Sequence, residues 1–411
     1  MHRNRHTSLL LVLCVTLITL AACGSDESAT PTPPAPTTAN TSNPTPQVTV
    51  FAGSVLTPTA VLNSPISPVG ATPVVTGAAP VPAPIQAAPA TLAPSPTPQP
   101  TPTLPPHPPE AIRGINVADS DPGNIAPLKD LGFTWVQTFL PPTVSLEPFK
   151  VLYRATLGDA VSGTQEDIDQ FAAVIEGVAK QNGQFIDAYS IGNEVNLSRE
   201  WAGQQPNPVL YAKLLAVAYA RIKTYDPTAI VVSAGIAPTG GDGPGSMDDI
   251  AYAKAMLDAG AGNAMDAYGF HPYGFAYAPQ QDPSDGQARN GLTFRRAELH
   301  RQLMEQYGMG DKKMWATEFG WLIEPAEENM TCSWPDLDWQ KVSREQQAQY
   351  VVQAFDYAKL NWPWMEHMFL WNYDFSRSPL YPEACEQMKW FSMLDEQGNP
   401  RPLVHALRKV S

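Results

Sequence analysis

Between Ile112 and Asn372 the chain holds eight short apolar runs, separated mostly by longer stretches with helical periodicity. Few folds accept that rhythm. Parallel strands can only be joined by a crossover, and the crossover is usually a helix. The runs are 112–117, 134–140, 151–155, 187–191, 230–233, 265–270, 313–317 and 368–372. Three of the intervening helices are clearly written. Thr164 caps one that lays Ile168, Phe171, Ile175 and Val178 on a single face and stops at Gly183. Asn207-Pro208 opens the next, which Asp226-Pro227 closes, and Ser343 with Gln346 forms a capping box for a helix reaching about Leu360. Only Pro141 to Phe149 separates the second and third runs, too short a stretch for a full helix. The fold class predicted is α/β, a single (β/α)8 TIM barrel, with a doubly wound open sheet as the competitor. No run is followed by a nucleotide-type glycine turn. The glycine-rich segment 235–245 lacks the Lys-Ser/Thr of a phosphate loop and reads as a mobile barrel loop.

The residues ahead of this region have a different character. Residues 1–23 read as an export signal, with Arg3 and Arg5 before an apolar core from Leu9 to Leu20 that is too short to span a bilayer. Leu20-Ala21-Ala22-Cys23 resembles a bacterial lipobox, which predicts lipidation at Cys23 and attachment to a membrane through that lipid alone. Residues 24–110 are dominated by Pro, Thr, Ala and Ser and carry one aromatic side chain, Phe51. Such a segment cannot bury enough apolar surface to offset its ordering entropy, so a disordered stalk is expected. Residues 111–411 are left as the folded domain, and all ten tryptophans fall there. The net charge of −14 argues against nucleic acid as a partner. Of four cysteines, Cys14 leaves with the signal and Cys23 takes lipid, so Cys332 and Cys385 remain as an even pair in an oxidising compartment. A disulfide between them is expected.

The chemistry lies at the ends of the runs. Ile191-Gly192-Asn193-Glu194 and Thr317-Glu318-Phe319-Gly320 each carry an apolar strand into a glutamate. A carboxylate at the mouth of a buried strand is costly unless the site uses it. Two such groups are the minimum apparatus for cleaving a glycosidic bond, one as acid/base and the other as nucleophile or base. The sixth run adds His271-Pro272-Tyr273, and the eighth ends on Trp371.

This set resembles the retaining glycoside hydrolases of the (β/α)8 clan that includes families 5 and 39. The resemblance covers the region from Glu110 to Ser411. It implies Glu194 as acid/base, Glu318 as nucleophile and Asn193 as a partner of the sugar 2-hydroxyl. It further implies that Tyr273 orients Glu318, that His271 touches sugar hydroxyls or the acid/base, and that Trp371 offers a ring face to the sugar. The family 5 pattern also has an arginine at the end of strand 2, which this chain lacks. Arg154 on the third run is either its displaced equivalent or a structural ion-pairing group. Trp201, Trp321, Trp334, Trp339, Trp362, Trp364 and Tyr381 are candidate stacking positions near loops. No metal and no cofactor are expected, since the seven histidines form no ligand motif. A polysaccharide or oligosaccharide is the expected partner of a monomeric, exported, membrane-tethered enzyme. A non-catalytic carbohydrate-binding barrel and a transglycosylase are the alternatives.

Overall fold

The computed structural model describes residues 112–409. The export signal, Cys23 and the stalk lie outside the described residues. Eight strands close into a barrel in sequence order, each parallel to its neighbours. They are β1 (Arg113–Asn116), β2 (Trp135–Thr138), β3 (Lys150–Ala155), β4 (Ala188–Ile191), β5 (Ile230–Ser233), β6 (Ala267–Phe270), β7 (Lys313–Phe319) and β8 (Met365–Leu370). All eight expected runs are strands. The last starts three residues earlier than expected and stops at Leu370, so Trp371 and Asn372 belong to the loop.

Helices α1 (Pro122–Ile125), α2 (Gln165–Asn182), α3 (Pro208–Tyr225), α4 (Asp249–Asp258), α5 (Ala297–Gln306), α6 (Arg344–Asn361) and α7 (Pro402–Arg408) surround the strands. The caps read from sequence are the caps observed. Thr164 accepts from Asp167 N, Asn207 from Leu210 N, and Ser343 with Gln346 forms the reciprocal box. No helix joins β2 to β3.

The lumen is layered. Trp135, Leu152, Ala188, Val232, Ala267, Trp315 and Phe369 fill its lower end as one apolar cluster. The fit is tight enough to require Gly114, where a Cβ would fall 2.5 Å from the Phe369 ring. Above this plug the lumen turns polar. Asn116 donates to the carbonyls of Thr317 and Leu370, and Gln137 donates to Asn116. The floor of the mouth is therefore a buried hydrogen-bonded layer built on Asn116.

Two features of the loops shape the mouth. The chain after β5 is anchored rather than loose at its start: Asn196 exchanges hydrogen bonds with Ala237, and the Asp249 carboxylate accepts from Thr239 N and Gly240 N. Burial pushes the Asp249 carboxyl up, but hydrogen bonds from His300 and Arg296 outweigh that and hold it well below its ordinary range. The expected mobile loop is thus pinned by a buried carboxylate. The second feature is the disulfide. Cys332 and Cys385 are bonded, with 5.3 Å between their Cα atoms, and tie the loop after β7 to the loop after β8. Closing 53 residues removes about 4 kcal/mol of loop-closure entropy from the unfolded chain.

The structure also corrects the aromatic expectations. Trp201, Trp321 and Trp362 are at most 1% exposed, so they pack the domain and leave no face for a ligand. Trp321 donates to Tyr277 O from inside the core, and Trp362 stacks between Phe294 and Trp364.

Candidate active site

Each central carboxylate owes its aim to a local break in regular geometry. Beyond β4, Gly192 N still pairs with Ala155 O, and then the backbone turns sharply. Glu194 adopts φ 39°, a left-handed conformation that costs a non-glycine residue about 1–3 kcal/mol. Two backbone hydrogen bonds hold it there, from Glu194 N to Gly235 O and from Leu197 N to Glu194 O, both 2.8 Å. On the other side of the mouth, strand alternation would send Thr317 inward and Glu318 outward. A register shift prevents this: from Ala316 to Phe319 β7 advances three residues while β8 advances two, from Met368 to Leu370. That extra residue is a bulge, and it lets Thr317 and Glu318 both reach the lumen.

The two carboxylates come together. An oxygen of Glu194 and one of Glu318 lie within 4.8 Å of each other, and His271 shares the cluster. Glu318 is buried and fully engaged. Arg154 Nη1 donates to its Oε1 at 3.1 Å, and the Tyr273 hydroxyl donates to its Oε2 at 2.7 Å. Burial, followed by the charge of Glu318, pushes the Tyr273 phenol well above its ordinary range, so it stays a donor. The Arg154 guanidinium also donates to Asn193 Oδ1 at 3.1 Å and lies 4.2 Å over the Phe139 ring. Glu194 has different neighbours. His271 Nδ1 is 3.1 Å from its Oε1, and Arg199 pairs with its Oε2.

Of the residues singled out in the sequence, Glu194, Glu318, Asn193, His271, Tyr273 and Arg154 meet in one cluster. Trp371 stands beside it but is only 2% exposed, with Phe139 and Phe375 packed edge-on against it at 6.0 and 4.7 Å. Three further polar participants escaped the sequence reading. Arg199 and Glu200 sit on a single turn (Ser198–Trp201) after β4, where Glu200 accepts from Asn193 Nδ2 at 3.3 Å and lies 3.7 Å from Arg199 Nε. Burial raises the Glu200 carboxyl, against the pull of Arg199 and Arg154. Thr317 contacts His271. A charged dipeptide starting five residues past Glu194 was the available signal for the first two.

Glu194, His271 and Glu318 could in principle present one atom each to a metal ion. Both carboxylates, however, already face guanidinium groups, and a divalent cation there would be repelled by Arg154 and Arg199. The arrangement suits proton and nucleophile chemistry instead. It holds two carboxylates, one between Arg154 and the Tyr273 phenol, the other between Arg199 and the His271 imidazole.

The same barrel occurs in solved structures of glycosidases. A family 39 glycoside hydrolase from Bacteroides cellulosilyticus WH2 aligns with TM-score 0.52 and 18% identity over 74% of this chain. The likeness is one of fold. This chain spans 64% of that protein's length. A glucosidase from Croceicoccus marinus aligns with TM-score 0.51 at 14% identity, covering 73% of this chain and 67% of its own. A β-glucuronidase from Bacteroides uniformis gives TM-score 0.51 at 14% identity, covering 73% of this chain and 35% of its own. No protein-family model and no curated protein matches the sequence.

Proposed function

We propose that this chain is a retaining glycosidase acting on a β-linked polysaccharide or oligosaccharide. Glu194 serves as acid/base and Glu318 as nucleophile. The observation that carries this reading is the approach of the two carboxylates to within 4.8 Å at their facing oxygens. Facing oxygens this close leave the two groups in direct reach of one anomeric centre, the arrangement double displacement uses at a carboxyl separation of about 5–5.5 Å. The division of labour follows from the surroundings. Glu318 is held in one orientation by Arg154 and Tyr273, as an in-line nucleophile must be. Glu194 meets His271 at Oε1 and Arg199 at Oε2, and its place directly after Asn193 at the end of β4 assigns it the proton-cycling role. The glycosidases that share the barrel make this chemistry an expected use of the fold.

In the first step Glu318 attacks the anomeric carbon while Glu194 gives its proton to the departing oxygen. In the second, Glu194 takes a proton from water, which displaces Glu318 and regenerates both groups. The inversion at each step leaves net retention. Proton NMR of the first product from an aryl β-glycoside, screened across sugars, tests this. A β-anomer appearing first is expected, and an α-anomer appearing first would sink the retaining assignment.

The address is proposed from sequence alone, with Cys23 as the lipid site and residues 24–110 as a tether. Cys23→Ser is expected to abolish metabolic labelling by a palmitate analogue. Labelling at the wild-type level would reject Cys23 as the anchor.

A further inference from the structure

One wall of the mouth, beside β2 and β8, is a column of rings. Phe139, just past β2, lies under the Arg154 guanidinium, whose central carbon is 4.2 Å from the ring centre. Phe375 packs edge-on against Phe139 at 5.6 Å and against Trp371 at 4.7 Å. Tyr381 closes the column, stacked on Phe375 with ring centres 5.6 Å apart and planes 21° from parallel. A face of the ring that the sequence offered to a sugar is thus already covered by Phe375.

The loop that carries Tyr381 is held from several sides. Tyr381 N donates to Ser378 O, Trp390 Nε1 to Ala384 O at 3.1 Å, and Trp334 Nε1 to Cys385 O at 2.9 Å. The bond from Cys385 to Cys332 anchors the same segment. A side chain fixed in this way loses little freedom when a ligand arrives.

The hydroxyl is the one group of Tyr381 that the column does not use. The residue is 7% exposed, and among the described residues its hydroxyl makes no hydrogen bond. The phenol oxygen is nonetheless not sealed from solvent. Tyr273 is the contrast, since its hydroxyl is already donated to Glu318 Oε2 at 2.7 Å. Burial pushes the Tyr381 phenol up, Arg154 pulls it down and Glu318 pushes it up again. It therefore stays neutral, able to donate and accept, within the field of the Arg154–Glu318 pair. Position along the reaction axis then decides what it can reach. The nucleophile meets the anomeric carbon on the face opposite the leaving group, which is served by the acid. Tyr381 shares the nucleophile's side.

We infer that Tyr381 is a substrate-binding residue: its hydroxyl hydrogen-bonds a hydroxyl of the sugar that Glu318 attacks, while its ring stays locked on Phe375. This rests on the glycosidase reading and adds a specificity to it. A sugar lacking that hydroxyl leaves a fixed, largely buried phenol unpaired, and the site discriminates against it.

Tyr381→Phe keeps the stacked ring and removes one oxygen, so the wall stays packed. The substrates are the dinitrophenyl β-glycoside of the sugar that the wild type cleaves fastest and the monodeoxy analogues of that glycoside. An activated leaving group keeps proton transfer out of the comparison. Tyr381→Phe is expected to lower kcat/KM about 10-fold on the parent and less than about twofold on at least one analogue, the one without the recognised hydroxyl. The loss should persist on the remaining analogues, with an unchanged melting temperature. An equal loss on the parent and on every analogue overturns the inference and makes Tyr381 a packing residue of the wall. So does a variant that matches the wild type on the parent. A wild type that cleaves no glycoside in the sugar screen refutes the glycosidase reading itself, and the inference falls with it.

Discussion

Glu318→Gln is expected to abolish turnover on every glycoside, activated or not, while the barrel still folds. The amide keeps the shape of the carboxylate and can still accept from Tyr273, but it cannot attack the anomeric carbon. Loss of a nucleophile that no neighbour replaces costs roughly four to six orders of magnitude in kcat. Arg154 loses its anionic partner in a buried setting, and an uncompensated buried charge costs about 3–5 kcal/mol. Its remaining bond to Asn193 and its seat over Phe139 soften that penalty, so a lowered Tm with an unchanged far-UV spectrum is the expected signature. Retention of even a tenth of the wild-type rate on a dinitrophenyl glycoside would remove Glu318 from the nucleophile's place.

The counterpart at Glu194 should look different, because the two carboxylates do different work. Glu194→Ala removes the proton donor and leaves the nucleophile. Cleavage of unactivated glycans is expected to fall by about 10²–10⁴-fold, the usual worth of general acid catalysis. Dinitrophenyl glycosides should still form the glycosyl-enzyme and then stall, because water is no longer activated. Azide needs no general base, fits the space vacated by the carboxylate, and should restore turnover with a β-glycosyl azide as product. Truncation also releases Arg199 from its pairing with Glu194, leaving Glu200 as its nearest anion. If Glu194→Ala cleaved a natural glycan at the normal rate, the acid/base would have to be sought elsewhere, and Glu200 would be the next carboxylate to replace.

Most of the barrel was legible because its signals are local. Caps at Thr164, Asn207 and Ser343 and the apolar runs between them depend on neighbours a few residues away, and the structure places them as read. Convergence of the strand ends followed from the closed topology, which brings Arg154, Asn193, Glu194, His271, Tyr273 and Glu318 to one mouth. What escaped depends on long-range geometry. Period-two alternation alone would have turned Glu318 away from the lumen, and only the slip between β7 and β8 lets it and Thr317 point the same way. Arg199 and Glu200 lie in a short turn with no periodicity to betray its direction. Trp201, Trp321 and Trp362 looked like binding surface because they flank loops, yet depth below the surface is not written in sequence distance. The pinned loop after β5 was missed for a similar reason: its anchor Asp249 is itself held by Arg296 and His300, 47 and 51 residues further along.

The bond between Cys332 and Cys385 has a consequence for wear. The covalent circuit it closes includes α6, β8 and the stretch around Leu380, whose side chain is 58% exposed and open to a protease. A single cut there would divide the polypeptide, but each fragment would retain one of the two bonded sulfurs. Neither piece could diffuse off. In surroundings rich in secreted proteases, the mouth of this barrel can be nicked at its rim and remain one molecule.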